Sequence, residues 1–169
     1  QGEFALYVGS LTVPLHNYWA DVGLAYTKQK YPGMKLVTER IPCGESAEEA
    51  YTQTLGLIKA YPNLQGIVGF GSLGPIGASQ ALKKKKMGGE VIIVGTVLPS
   101  HAAPYLKQGY MQHGYLWDPK DAGYAMVAVA KKMIDKEPIT DGMEIKGLGP
   151  ASVDPDAKLI KFDAILDIT

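Results

Sequence analysis

The chain is poor in the residues that build disulfide-rich, zinc-binding or membrane-spanning proteins. Its 169 residues include one cysteine, Cys43, and three histidines without ligand-like spacing, which excludes a disulfide framework and a cysteine-rich zinc site. No segment approaches 18 uninterrupted apolar residues, so the sequence predicts no membrane span. Seventeen cationic side chains balance seventeen acidic ones, and this neutral total gives no reason to seek nucleic acid or an anionic membrane. We therefore expect no metal, no cofactor and no nucleic-acid partner.

Short apolar runs alternate with helical stretches along most of the chain. The predicted strands are Phe4–Val8, Lys35–Ile41, Gly66–Phe70, Glu90–Val94 and Tyr110–Trp117. The predicted helices run from Pro14 to about Lys30, from Ser46 to before Pro62, from the 69–74 segment to about Lys86, from Ser100 to Gln108, and from Asp118 to about Lys136. Five such units predict a flavodoxin-like α/β domain of three layers, with a doubly wound, five-stranded parallel sheet.

Local signals support several of these boundaries and faces. Ser46 and Glu49 have the spacing of a capping box, and Asp118 before Pro119 is a typical helix start. The first helix spaces Trp19, Val22 and Tyr26 for one face. The fourth strand has no polar alternation, which predicts burial on both faces. The basic run 83–86 falls at a helix end, where we interpret it as solvated.

A glycine motif follows the third strand. Gly69-Phe-Gly71-Ser-Leu-Gly74 matches GxGxxG, the fingerprint of dinucleotide-binding loops. That fingerprint belongs in the first strand–helix turn and needs an acid at the carboxyl end of the next strand. Here the next strand leads into Thr96 without an acid, and Pro75 removes a backbone N–H that a phosphate could use. The motif therefore predicts a tight turn with close packing.

Ligands of open parallel sheets bind beyond the carboxyl ends of the strands. Those ends here are Ser10 to Asn17, Phe70 to Ser72, Thr96 to Pro99, and Trp117 with Asp118. Their aromatic rings, imidazole, amide, hydroxyls and carboxylate suit a sugar, whose apolar faces stack on rings while polar groups hold its hydroxyls. An equally weighted interpretation makes Trp117 a core residue and Asp118 only a helix cap. No nucleophile elbow, phosphate-binding loop or paired acid is present, so the sequence predicts no enzyme.

Several stretches resemble periplasmic sugar-binding proteins of the type I fold, in the branch of rhamnose-binding and autoinducer-2-binding receptors of ABC importers. They are YPGMKLV, LIKAYPNLQGIVG, IVGTVLP followed by YLKQG, and GYLWDPKDAGYAMVAVA. The resemblance covers nearly the whole chain but only the second half of such a receptor, whose two α/β lobes close around a solute. It implies residues 1–117 as the second ligand-binding lobe, 118–142 as a helix packing on a missing first lobe, and 143–169 as a tail crossing back. The Gln1 start fits a chain cut just before its first strand.

The resemblance also implies a set of ligand-binding residues. They are Leu15, His16, Asn17, Phe70, Ser72, Trp117 and Asp118. Autoinducer-2 receptors carry an Asp-Gln pair where this chain has Leu15 and His16, which argues against that ligand and leaves a small carbohydrate or polyol.

The implied location is periplasmic or extracellular, with the membrane subunits of the importer as partners. The helix after Asp118 is apolar on more than one face, and a second copy of the fragment is a candidate to cover it. Two alternatives stay open: the effector-sensing domain of a sugar-responsive transcription regulator, and a flavodoxin-like enzyme.

Overall fold

The computed structural model describes residues 1–156, 158–162 and 165–168. Its main strands are β1 (Gly2–Tyr7), β2 (Met34–Leu36), β3 (Leu64–Gly69), β4 (Ile92–Thr96) and β5 (His113–Trp117). Its helices are α1 (Pro14–Lys30), α2 (Ala47–Ala60), α3 (Gly74–Lys85), α4 (Pro99–Lys107) and α5 (Pro119–Ile134). The remaining strands are β6 (Glu144–Ile145), β7 (Gly149–Pro150), β8 (Ser152–Asp154), β9 (Leu159–Lys161) and β10 (Ile165–Ile168). The chain forms two compact units, Gln1–Tyr115 with Asp167–Thr169, and Leu116–Leu166.

The main sheet confirms the predicted fold class. Its order is β10-β5-β4-β3-β1-β2, and the pairs among β1 to β5 are all parallel. Helices α2, α3 and α4 pack on one face and α1 on the other, which gives three layers. The sequence did not predict β10, which adds a sixth strand beside β5.

Helix starts follow the local chemistry that the sequence indicates. The Ser46 hydroxyl accepts the backbone N–H of Glu49 at 3.2 Å and caps α2. The Ser46 N–H donates to the carbonyl of Cys43 at 3.3 Å, so the neighbouring turn satisfies it. Prolines stand in the first turn of α1, α3, α4 and α5, where the missing N–H costs nothing.

The larger core lies between the sheet and helices α2 to α4. It buries Tyr7 completely, together with Ile67, Leu82 and Ile93. The Thr54 hydroxyl donates to the carbonyl of Ala50 at 2.6 Å, so its oxygen accepts the Tyr7 hydroxyl at 2.7 Å. Burial raises the pKa of Tyr7 well above its usual value, which keeps the phenol neutral and able to donate.

Two predictions, on the length of β2 and on the inward face of α1, are wrong. The second strand is short, ending at Leu36 rather than Ile41, and only one isolated bridge joins Ile41 to Tyr7. In α1, Val22 and Tyr26 are exposed, because the helix turns its His16 and Ala20 line inward instead.

The fourth strand is not buried on both faces. Ile93 is completely buried, yet Ile92 is 43% exposed on the opposite face. The row of in-register residues Leu6, Val68 and Val94 explains the difference. Leu6 is buried in the cluster under α1, whereas Val68 and Val94 are only half-buried. Helix α1 therefore covers the β1 and β2 half of this face and leaves the β4 half open.

The second unit is built from α5 and the short tail strands. Strands β6 and β7 pair antiparallel, as do β8 and β9. Ala128 and Val129 of α5 pack on a small core of Met143, Ile145 and Ala151. Other apolar side chains of α5 are exposed: Tyr124, Met126, Val127, Met133 and Ile134.

Candidate functional site

The carboxyl ends of β1 and β3 bring two loops together in the first unit. These strands are hydrogen-bonded neighbours and run in the same direction, so the segment after Tyr7 and the segment after Gly69 leave the same edge of the sheet. The first segment leads into α1 and the second into α3. Polar and aromatic side chains of both segments are therefore candidates for one ligand-binding surface.

His16 is the best-fixed side chain at this edge. It is buried, and its Nδ1 accepts the backbone N–H of Gly9 at 3.1 Å. A neutral ring then carries its proton on Nε2, which lies 4.0 Å from a carboxylate oxygen of Glu45. This separation is longer than a hydrogen bond. The imidazole thus has one anchored nitrogen and one donor directed toward a carboxylate.

An aromatic cluster links the two loops. The rings of His16 and Trp19 stack with centroids 5.8 Å apart. The Trp19 ring in turn meets Phe70 of the second loop at 5.9 Å and a tilt of 53°. His16 and Phe70 were predicted site residues, and the structure brings them to one cluster. Trp19 was not among them, because the helical spacing assigned it to a packing face.

Asn17 is engaged by its own helix start and by Arg40. Its Nδ2 donates to the carbonyls of Ser10 and Val13 at 3.0 and 2.8 Å. Its Oδ1 accepts the Arg40 guanidinium at 3.0 Å, and the same guanidinium pairs with Asp21. Asn17 therefore orders the loop after β1. Arg40 follows a weak strand and carried no sequence signal.

The glycine motif forms a packed turn. Gly71 has φ of +129°, which only glycine adopts readily. The carbonyl of Gly44 accepts the N–H groups of Leu73 and Gly74 at 3.0 and 2.7 Å. These two N–H groups at the start of α3 are therefore hydrogen-bonded to the neighbouring loop. A Cβ at Gly44 would lie 2.6 Å from the Phe70 carbonyl oxygen. The predicted tight turn with close approach is confirmed.

The other predicted residues of the first unit differ in exposure. Leu15 is 45% exposed at the start of α1, and Ser72 is half-buried in the turn after Phe70. Thr96 is buried at the end of β4, and Val97 after it belongs to the core. Leu15 and Ser72 are thus within reach of a ligand, whereas Val97 is not.

Trp117 and Asp118 belong to the second unit. Trp117 is half-buried at the end of β5. Asp118 is the N-cap of α5, and its Oδ1 accepts the backbone N–H of Lys120 at 2.8 Å. Within the described residues its Oδ2 accepts no hydrogen bond. The helix cap is therefore real, and it leaves one carboxylate oxygen available to a ligand hydroxyl.

The described part of the chain has no group of three or more histidine, cysteine or acidic side chains placed to hold a metal ion. None of its helices is both long and apolar enough to cross a bilayer. Cys43 is buried in the larger core, where burial raises the pKa of its thiol to about 12 and the Glu49 carboxylate adds to the shift. A thiol with a pKa raised in this way is mostly protonated at neutral pH.

Residues 1–138 match the family model described as the periplasmic binding protein domain. The chain belongs to this family. The match covers residues 1–115 of the first unit and all of α5.

Solved structures of other proteins share the fold of this chain at low sequence identity. LsrB from Clostridium saccharobutylicum, in complex with AI-2, is 22% identical, covers 99% of this chain and superposes with a TM-score of 0.84. An ABC transporter solute-binding protein from Clostridium phytofermentas with bound L-rhamnose is 21% identical, with the same coverage and TM-score. A carbohydrate transporter solute-binding protein from Agrobacterium radiobacter, with D-arabinose, is 22% identical and covers 83% at 0.74. The chain spans 57%, 56% and 47% of these proteins, respectively.

Proposed function

We propose that the chain is the second lobe of a solute-binding component of an ABC importer, which binds a small carbohydrate or polyol between two lobes. The observation that carries the proposal is the cluster of His16, Trp19 and Phe70 at the carboxyl ends of β1 and β3. Rings at this edge offer flat apolar surface, and neighbouring groups offer hydrogen bonds, as small-molecule sites require. Relatives that bind L-rhamnose and D-arabinose support the ligand class.

Each site residue of the first unit has a proposed role. Phe70 and Trp19 supply ring surface, with Leu15 at its margin. His16 donates from Nε2 to a ligand hydroxyl, which can also reach the Glu45 carboxylate because the two groups are 4.0 Å apart. Asn17 acts through loop order, since its amide already has three partners. Ser72 offers a hydroxyl from the turn after β3.

The second unit contributes Trp117 and Asp118 in this proposal. Asp118 holds ligand hydroxyls through Oδ2 while Oδ1 caps α5. Trp117 packs against the sugar or supports Asp118 from the preceding position. Residues 1–117 are then the ligand-binding lobe, 118–142 the helix that packs on the first lobe, and 143–169 the returning tail. The protein acts outside the cytoplasmic membrane and delivers its solute to the importer's membrane subunits.

Calorimetry with L-rhamnose, D-arabinose and related pentoses and hexoses tests the function. In a two-lobe receptor each lobe supplies part of the pocket, so one lobe has only part of the binding free energy. Losing half of the contacts should weaken the free energy of binding by more than about 4 kcal/mol, which is about a thousandfold in affinity. We expect the 169-residue chain to bind weakly or undetectably and a full-length receptor carrying the same residues to bind well. A full-length receptor that binds no sugar of the panel would contradict the proposal.

Self-association of the isolated chain follows from the same reasoning. Met126, Val127, Met133 and Ile134 are each at least 65% exposed, which is unusual for a soluble surface. A second copy covers this face of α5 when the first lobe is absent, by exchange of the helix or the tail. Sedimentation at high micromolar concentration should show a dimer, and a strict monomer would contradict this expectation.

A further inference from the structure

The topology of the first unit places four helix ends at one edge of the sheet. Each of α1 to α4 leads to the amino end of a parallel strand, so their last turns all lie at that edge. Those turns and the start of β2 carry nine lysines: Lys28, Lys30, Lys35, Lys59, the run Lys83–Lys86 and Lys107. We call this set the lysine edge. Every one of its side chains is exposed.

The lysine edge concentrates charge that the neutral total hides. It carries nine of the chain's seventeen cationic residues. Among the described residues in the last turns of α1 to α4 and at the starts of β1 to β5, the acids are Glu3 and Glu90. Its formal charge is therefore +7 and that of the remaining chain −7. Within the described residues, Lys35 is the one lysine of the edge in an ion pair, with Glu3 at 3.6 Å. The other eight remain available to a partner.

We propose that the lysine edge docks on the surface of an anionic phospholipid bilayer. Clusters of four to eight basic residues next to a membrane attract anionic headgroups through the summed field, without stereospecific contacts. All nine residues are lysines, which act as hydrated point charges, whereas specific phosphate recognition favours the planar fork of arginine. The chain's single arginine, Arg40, is held instead by Asn17 and Asp21.

Two further features favour a surface over a small anion. A depression of about 500 Å³ at this edge is lined by residues that include Glu3 and Glu90, whose negative charges repel an anion. Tyr26 and Tyr31 at the end of α1 are each 54% exposed, with their rings 6.0 Å apart. Tyrosine is enriched at membrane–water interfaces, where the ring and hydroxyl contact different layers.

The docking would orient the first unit. Its acids outside the lysine edge include Glu39, Glu45, Glu48 and Glu49, which follow β2 or begin α2 at the opposite, carboxyl-end edge. An anionic bilayer attracts the lysine edge and repels that side, so the candidate ligand edge faces away from the lipid. The inference does not depend on sugar binding, and failure of the calorimetric test would leave it standing.

Flotation with lipid vesicles tests the proposal on the 169-residue chain. We expect binding to phosphatidylcholine vesicles containing about 30% phosphatidylglycerol and none to pure phosphatidylcholine. Raising the salt from about 0.01 M to about 1 M shortens the Debye length from about 30 Å to about 3 Å and should release the protein. Changing Lys83–Lys86 to glutamine should lower the partition coefficient more than about tenfold, and changing them to arginine should retain binding.

The matched control removes four charges elsewhere. Lys120, Lys136, Lys146 and Lys158 are exposed residues of the second unit, and their change to glutamine should leave most of the binding intact. If the 83–86 variant loses its helical circular dichroism, the quartet Lys28, Lys30, Lys59 and Lys107 replaces it. An equal loss in the control quartet, binding that resists salt, or equal affinity for heparin in solution would each overturn the proposal.

Discussion

Asp118 is the residue whose two proposed tasks can be separated by substitution. Its Oδ1 caps α5 through the Lys120 N–H at 2.8 Å, and its Oδ2 is assigned to a ligand hydroxyl. Asp118→Ala removes both oxygens. Asp118→Ser retains a side-chain oxygen that caps a helix about as well as aspartate, but it has no second oxygen and no charge. Comparing the two variants therefore isolates ligand binding from helix capping.

The two tasks have different magnitudes. Loss of an N-cap costs about 1 kcal/mol of stability, which lowers the Tm of a domain of this size by roughly 2–4 °C. Loss of a hydrogen bond to a charged acceptor costs about 1.5–3 kcal/mol, which is roughly a ten- to more than hundredfold loss of affinity. Asp118→Ala should show both effects, and Asp118→Ser should show the loss of affinity with nearly unchanged Tm.

The assay is calorimetry on the full-length receptor with the sugar that binds best, alongside thermal unfolding of the 169-residue chain. Ser46→Ala serves as the capping control, because it removes the cap of α2 and should lower Tm without a direct effect on the ligand. If Asp118→Ser binds as tightly as the parent protein, Asp118 is only a helix cap and its assignment to the site has to be withdrawn.

Three further predictions concern stability. Thr54→Val should lower the free energy of unfolding by about 1–3 kcal/mol, because it leaves the buried Tyr7 hydroxyl without its acceptor. Tyr7→Phe should cost less, about 1 kcal/mol, and equal losses of stability in chemical denaturation would contradict the assignment of Tyr7 as the donor. Gly77→Ala places a Cβ 2.2 Å from the Ala47 carbonyl oxygen and should destabilise by about 1–3 kcal/mol, whereas Gly56→Ala has open space and should stabilise by up to about 1 kcal/mol. The folded-state pKa of Cys43, about 12, lies above its usual 9.0. The contribution of the buried neutral thiol to the free energy of unfolding is therefore complete below pH 9 and is lost as pH rises toward 12, by at most about 1.4 kcal/mol per pH unit. Cys43→Ala should flatten this alkaline loss of stability in pH-dependent unfolding, and an unchanged slope would refute the attribution to Cys43.

Much of the fold could be predicted because its local signals agree. Pro14 and Lys30 bound the first helix in the sequence and in the structure, and Ser46 caps the second as its spacing indicates. Strand identity followed from short apolar runs between helices. The strand β10 had no such context, since it follows the irregular tail without a helix before it. Its place in the sheet depends on a distant partner, β5, rather than on local sequence.

The faces of elements were harder to predict than their bounds. In α1 the apolar residues Val22 and Tyr26 suggested an inward stripe, but the sheet receives the smaller Ala20 and the hydrogen-bonded His16. His16 accepts the N–H of Gly9 in the loop after β1, a contact that the spacing of apolar residues does not indicate. Likewise the apolar run of β4 predicted that Ile92 is buried, but α1 covers the β1 and β2 half of that face and Ile92 is exposed.

The candidate site shows the same limit. His16 and Phe70 could be predicted because both follow strands of a parallel sheet, and strand ends of such a sheet meet at one edge. Trp19 could not, because its contact with Phe70 at 5.9 Å depends on the turn of α1 against β3. Arg40 was invisible for a similar reason, since its partners Asn17 and Asp21 lie about 20 residues away on another element.

The distribution of charge over the molecule could not be predicted from the net charge. The sequence carries equal numbers of acids and bases, and this total gave no reason to expect nucleic acid or an anionic membrane as a partner. The proposed contact with a membrane follows from the parallel topology, which gathers the last turns of α1 to α4 at one edge, and helix ends favour lysine through the helix dipole. A preference worth only tenths of a kcal/mol at each helix thus sums to a formal charge of +7 on one side of the molecule. Charge sums over topologically equivalent positions therefore carry information about partners that the net charge lacks.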